Sequence, residues 1–285
     1  MNKVTDLENA AALVRNGDTL AISGSFFENV PMALLREIIR QGKQNLKLIV
    51  TAHGIAVDIL IGAGCVSDVQ GAYVGFEGYG LAPNFRRAVE SGTITFRESA
   101  CYATASGLRA TAWGLPFLPL KGLAGSDLLA RHPEYKPYSW NGDDVLLVPA
   151  LKPTVALVHA NRADAAGNAQ TEGSSWEEVI AEAADRVILT VEEIVPSDEI
   201  RRQPHKTHIP GFLTTVVTVV PYGGHPTGCP EAYDFDEAHV LEYLNTGKTE
   251  EGFRSYLDRY VHRVPGHEQY LEAVGGIRAI LALRV

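Results

Sequence analysis

The chain has 285 residues, 46% of them apolar and 21% charged, with a formal net charge of -9, which is the composition of a globular protein long enough for a full core. That acidic balance excludes an extended nucleic-acid surface, which needs clustered Lys and Arg, but leaves room for a local small-anion site. No run approaches the ~18 apolar residues of a membrane span, and Met1 to Asp6 carries no apolar leader core, so a cytoplasmic protein with no membrane contact is expected.

Leu7 to Val14 reads as a short amphipathic helix leading into a turn at Asn16-Gly17. Leu20 to Ile22 suits a buried strand, broken by Ser23-Gly24-Ser25. Pro31 then precedes Met32 to Arg40, where Leu34, Leu35, Ile38 and Ile39 share one helical face. A small-residue turn ahead of a helix lets an anionic ligand approach backbone N–H groups. An ordinary βα loop, with a glycine supplying positive φ, fits the same residues. Leu46 to Thr51 is a second strand, ending in Ala52-His53-Gly54, and Val57 to Ile61 a short helix. Val66 to Val74 is a third strand, followed by Gly75-Phe76-Glu77-Gly78-Tyr79-Gly80. Pro83 opens a helix stopped at Ser91-Gly92, Thr93 to Glu98 alternates like a strand, and Tyr102 to Trp113 continues as a helix.

Leu115 to Asn141 lapses into Pro, Gly, Tyr and Trp, and is expected to be an irregular functional or partner-contacting segment. Val145 to Val148 and Val155 to Ala160 restore strand character. Asp164 to Asn168 is a turn and Trp176 to Ala184 a helix. Val187 to Val191 and Val216 to Val220 are strands, the latter running into Pro221-Tyr222-Gly223-Gly224-His225-Pro226. From Asp236 to Leu283 the chain is mainly helical. Repeated strand, glycine-marked loop and helix predict an α/β fold, an open and largely parallel sheet with helices on both faces. One domain is expected, with residues 1–235 as the α/β core and 236–285 as a helical C-terminal appendage. Cys65, Cys101 and Cys229 show neither CxxC spacing nor a disulfide framework and read as packing residues.

An ordered set of segments resembles the A (alpha) subunits of family I CoA transferases, the glutaconate CoA-transferase type among them. It comprises Gly17 to Gly24 with Pro31, Gly114 to Pro119, and Glu192-Glu193-Ile194-Val195 with Glu199 to Arg202 and Ile209-Pro210-Gly211. Pro221 to Pro226 with Cys229 and Tyr233-Asp234 completes it. One departure is visible: relatives carry Gly-Gly-Phe where this chain has Ser23-Gly24-Ser25, with its aromatics following at Phe26 and Phe27. The resemblance implies one subunit of a two-chain enzyme that moves CoA between an acyl-CoA and a short-chain or dicarboxylic acid. The B (beta) subunit is the implied partner, in a heterodimer-based assembly such as a heterotetramer. It supplies the glutamate that becomes first an acyl anhydride and then a glutamyl-CoA thioester. CoA is then a substrate, with no cofactor permanently bound and no metal required, and the chain by itself is expected to be catalytically incomplete.

The candidate residues stand at strand ends, where open α/β sheets bind ligands. Ser23, Gly24, Ser25, His53, Gly54, Glu77, Gly78, Gly223, Gly224 and His225 are candidates for contact with substrate or CoA. Glu98, beside Arg97, is the candidate catalytic acid or base; a salt bridge anchoring the next helix is the ordinary alternative. Arg201 and Arg202 either pair with Asp198 and Glu199 or reach phosphates. An acyl-CoA hydrolase, C–C bond hydrolase or decarboxylase using Glu98 or Glu77 is the second reading of the same scaffold. A non-catalytic ligand-binding module is the third.

Overall fold

The computed structural model describes residues 2–123, 125–172 and 176–284. The chain opens with α1 (Leu7–Ala12) and alternates β1 (Thr19–Ile22), α2 (Met32–Arg40), β2 (Leu46–His53), α3 (Ile55–Gly62), β3 (Val66–Val74), α4 (Pro83–Glu90), β4 (Thr95–Glu98) and α5 (Cys101–Ala112). A middle segment adds β5 (Phe117–Leu120), α6 (Leu128–Arg131), β6 (Lys136–Trp140) and β7 (Asp143–Pro149). There follow β8 (Val155–Ala163), β9 (Ala169–Gln170), α7 (Trp176–Ala183), β10 (Arg186–Ile194), α8 (Ser197–Arg202), β11 (Thr207–Ile209) and β12 (Val216–Val219). Helices α9 (Glu237–Thr246), α10 (Glu250–Leu257), α11 (His267–Ala273) and α12 (Gly276–Leu281) close the chain.

The main sheet runs β12-β10-β8-β1-β2-β3-β4, parallel throughout, with β9 and β11 added antiparallel beyond β8. Its central strands read as near-continuous apolar runs because both faces are covered. Leu20, Ile22, Leu48 and Val50 pack with α2, α3 and the C-terminal helices on one face. Ala21, Ile49, Val158 and Leu189 pack with α5 and α7 on the other. No helix among the described residues is long and apolar enough to cross a membrane.

Two features differ from expectation. The segment 115–141, one residue of which (Ala124) lies outside the described residues, is not irregular. With Val145 to Val148 it forms a separate antiparallel sheet, β5-β7-β6. Pro119 and Pro137 interrupt its alternation, which hides the strands from a periodicity reading, and both prolines sit on edge strands, where a missing N–H costs least. The usable signal is Asn141-Gly142, a two-residue hairpin turn with φ of 52° and 86°. Secondly, α2 is buried on every side from Met32 to Ile39, Arg36 and Glu37 included, because the C-terminal helices cover the face its polar residues present. The Arg36 guanidinium lies 3.5 Å from the centre of the Tyr270 ring and donates to the His225 carbonyl at 2.9 Å.

Candidate functional site

Because every strand of the seven-strand path is parallel, all the sequence candidates lie along one edge of the sheet, beyond the strand C-terminal ends. Around β1 to β4 they divide into an exposed rim and a buried support. Ser25, Glu77, Gly78 and Glu98 reach the open surface, whereas Ser23, Gly24, His53 and Gly54 lie beneath it.

The support is built tightly. The Ser23 hydroxyl donates to the Asn29 carbonyl at 2.7 Å and accepts from the His159 N–H at 3.0 Å, stitching the turn to β8. Gly24 has φ of 79°, and a Cβ there would stand 2.2 Å from the Glu28 carbonyl oxygen, so the turn closes only around a glycine. At Gly54 a Cβ would meet the carbonyls of Gly75 at 3.0 Å and Phe26 at 3.5 Å, so three loops converge on that residue. Phe26 meets Tyr73 edge-on at 5.6 Å, and Phe27 stacks on Phe235 at 4.8 Å. The aromatics that follow the Ser-Gly-Ser turn therefore form its wall. His53 donates from Nε2 to the Ile22 carbonyl at 3.2 Å, and burial pulls its imidazole down to about 4, so the ring is neutral near pH 7.

On the rim, Glu77 holds φ of 49° in a short turn spanning Glu77 to Tyr79. Such a conformation costs a non-glycine residue about 1 kcal/mol or more. Glu98 ends β4 with an exposed side chain. Its neighbour Arg97 pairs with Asp68 at 2.9 Å rather than with Glu98, so no Arg97–Glu98 bridge is formed. The Glu98 carbonyl accepts from His132 Nε2 at 2.5 Å, and the Ser99 hydroxyl meets that of Tyr135 at 3.1 Å.

Beyond β8, β10 and β12 the same edge holds a second group. Gly223, Gly224 and His225 are buried. His225 engages both ring nitrogens, Nδ1 with the Tyr270 hydroxyl at 2.7 Å and Nε2 with Asp236 at 3.1 Å. That second bond holds the Asp236 carboxyl down at about 2, against the upward pull of burial. His225 was expected to contact substrate or CoA; α11, which comes later in the chain, covers its ring. The loop is pinned by Glu192, which sequence reasoning did not single out as a site residue. Its carboxylate accepts from Tyr222 N–H at 2.6 Å, Gly223 N–H at 3.2 Å, the Tyr233 hydroxyl at 2.9 Å and His159 Nε2 at 2.9 Å. His159, Glu192 and Cys229 bring one ligand-type atom each within 4.8 Å of one another. Four donors surround the Glu192 carboxylate, three on Oε1 and one on Oε2, so the cluster is tied together as a hydrogen-bond network. Glu192 opens on a cavity of about 570 Å³ whose walls include Arg162, Glu193, Lys206, Tyr222 and Arg284. Arg201 pairs with Asp198 at 2.8 Å on the exposed surface, the ordinary alternative for that arginine.

Comparison with known proteins matches residues 4–219 to the family model for coenzyme A transferase. The chain is 34% identical to the alpha chain (the A component) of glutaconate CoA-transferase from Acidaminococcus fermentans, over 98% of this chain and 94% of that one. It superposes on the crystal structure of glutaconate coenzyme A-transferase from the same organism with a TM-score of 0.94, at 32% identity, covering 99% of this chain and 96% of that one. A protein of Archaeoglobus fulgidus is 40% identical over 99% of this chain, which spans 64% of that protein's length. A variant of the decarboxylase AibA/AibB superposes with a TM-score of 0.79 at 34% identity, covering 91% of this chain and 100% of the matched chain.

Proposed function

The chain belongs to the coenzyme A transferase family, and from that membership we propose that it is the alpha subunit of a two-chain enzyme moving CoA between an acyl-CoA and a free carboxylic acid. The observation that carries this reading is the near full-length likeness to the alpha chain of glutaconate CoA-transferase, in sequence and in structure. A short-chain or dicarboxylic acid is the substrate class in keeping with that likeness. The partner is a B (beta) subunit in a heterodimer-based assembly such as a heterotetramer, working in the cytoplasm.

In this reading the partner's glutamate attacks the acyl-CoA carbonyl, giving an acyl anhydride and CoA thiolate. The thiolate then attacks the glutamyl carbonyl of the anhydride, releasing the first acid and leaving glutamyl-CoA for the second acid. A carboxylate is a weak nucleophile, so the site must hold it against the thioester and meet the tetrahedral oxyanion with donors. This chain contributes the floor of that cleft. The turn of Ser23, Gly24 and Ser25, held over His53 and Gly54, shapes that floor without bulky side chains, its Ser23 and Ser25 N–H groups bonded to the Leu157 and Glu28 carbonyls. Glu77, Gly78 and Glu98 form the rim facing the partner, with Glu98 orienting substrate. Gly223, Gly224 and His225 act from behind by fixing the sheet edge.

A second reading, an acyl-CoA hydrolase, C–C bond hydrolase or decarboxylase, is favoured by one observation: the Glu98 carboxylate is exposed at the rim and not tied to Arg97. The experiment separating the two purifies the complex and treats it with acyl-CoA, then with borohydride or hydroxylamine, in wild type and in Glu98→Gln and Glu77→Gln. Transfer requires a trapped glutamyl-CoA on the partner in all three, with modest rate losses, and only background turnover by this chain alone. No trapping in wild type, with a roughly 10²–10⁴-fold loss in Glu98→Gln, the range of proton-transfer catalysis, would establish the second reading instead.

A further inference from the structure

We propose that the outer face of the small sheet β5-β7-β6 is the docking surface for the partner chain that completes the active site; the proposal rests on the two-chain reading above. Residues opposite each other on antiparallel strands share a face. Leu120 opposes Leu146 and Leu118 opposes Val148. This face packs inward, with Leu120 and Val148 buried against Ala103 of α5 and Tyr135. The other face pairs Pro119 with Leu147 and Tyr138 with Val145, and adds Phe117 and Trp140. An antiparallel sheet with one wet face carries polar residues outward. Here the outward set is apolar, with Phe117 42%, Tyr138 48% and Trp140 63% exposed. Two charged residues share that face, Asp143 opposite Trp140 and Lys136 opposite Leu147, between the rows of Tyr138 and Phe117.

Three aromatics exposed to about half their area leave on the order of 300 Å² of ring surface in water, the size of the largest apolar patch on an ordinary monomer, which is often functional. A stable interface buries about 800 Å² per side, so the patch is the apolar centre of a larger contact. What occupies it follows from where the sheet is fastened. His132 donates to the Glu98 carbonyl and Tyr135 meets Ser99, so the segment entering β6 is bolted to the rim of the candidate site. Tyr102, 63% exposed at the start of α5, stands just past that rim. A chain covering the mouth at Glu98 and Tyr102 therefore continues onto β6. A second copy would set two chains of charge -9 against each other.

The test uses the full chain with its co-expressed partner and measures their affinity by calorimetry or titrated cross-linking. Trp140→Glu should weaken the complex on the order of thirtyfold or more, as loss of an interface hot spot does, with the variant's own melting curve unchanged. Trp140→Phe should recover most of the affinity. Phe212→Glu, at an 84% exposed position between β11 and β12, should bind as wild type. Unchanged affinity in Trp140→Glu overturns the proposal, as does a wild-type chain that forms its own dimer through Trp140. An active wild-type complex alongside an indifferent Trp140→Glu removes only the docking face. Transfer by the isolated chain removes the two-chain reading itself.

Discussion

Glu192→Gln changes one atom of the side chain that holds the Tyr222–His225 loop. The carboxylate, 14% exposed, accepts from Tyr222 N–H on Oε2 and from Gly223 N–H, the Tyr233 hydroxyl and His159 on Oε1. Glutamine offers one acceptor oxygen and one NH₂ donor, so in either orientation a backbone N–H faces another donor. Leaving that donor unmet costs about 1–3 kcal/mol. The surviving bonds lose their charge assistance, about half their strength, which adds about 1–3 kcal/mol over the set. The expected loss is about 2–6 kcal/mol. At about 2–4 °C per kcal/mol for chains of this size, the melting midpoint should fall on the order of 10 °C. Urea unfolding should show the same loss as a lower midpoint with an unchanged m-value. A loss below about 1 kcal/mol, with the fold intact, would refute the idea that Glu192 organises this edge.

Acid should destabilise the protein earlier than its carboxylates alone dictate. Burial pulls His53 down to about 4 and His239 to about 3 from 6.5, so the unfolded chain takes up protons first and stability falls as pH drops from about 6.5 toward 3. At pH 5 each histidine removes about 2 kcal/mol; equal urea midpoints at pH 7 and pH 5 would contradict this. Gly24→Ala forces a Cβ onto the Glu28 carbonyl at positive φ and should cost about 1–3 kcal/mol, with activity of the assembled complex falling as the turn opens; wild-type stability and kinetics would return the turn to an ordinary loop. Glu77→Gly relieves a strained backbone, so the variant should melt at or slightly above the wild-type temperature, because the gain is offset by glycine's entropy. Its kcat/KM should drop if the carboxylate meets substrate, and unchanged kinetics would dismiss that role.

How much was readable depended on the range of the interactions. Val66 to Val74 is found as a strand at those bounds, and Pro83 starts a helix where expected, because both rest on local pattern and punctuation. The rim at Glu77 and Glu98 follows from the strand–loop–helix rhythm alone, since a parallel sheet sends all such loops to one edge. The burial of His225 and Arg36 was not legible, because α11 covers them and nothing near them in sequence announces a cover. The Glu192 network was beyond reach for a similar reason. His159 and Glu192 lie 33 residues apart and meet only because β8 and β10 pair with Thr190 beside His159.

The arginine buried in α2 fixes an order of events during synthesis. Its acceptor, the His225 carbonyl, lies 189 residues further on, and His267, whose Nδ1 sits 3.4 Å from the guanidinium, lies 231 residues on. While the first half of the chain emerges from the ribosome, the second helix therefore carries a cation on a face that has nothing to bury against. The central strand is in the same position, since β1 must wait for β8 to gain its second neighbour. Such long-range closure slows folding and leaves apolar surface open to association in the interval. A message truncated before residue 267 thus yields a product lacking the cover over α2, not merely a shorter tail.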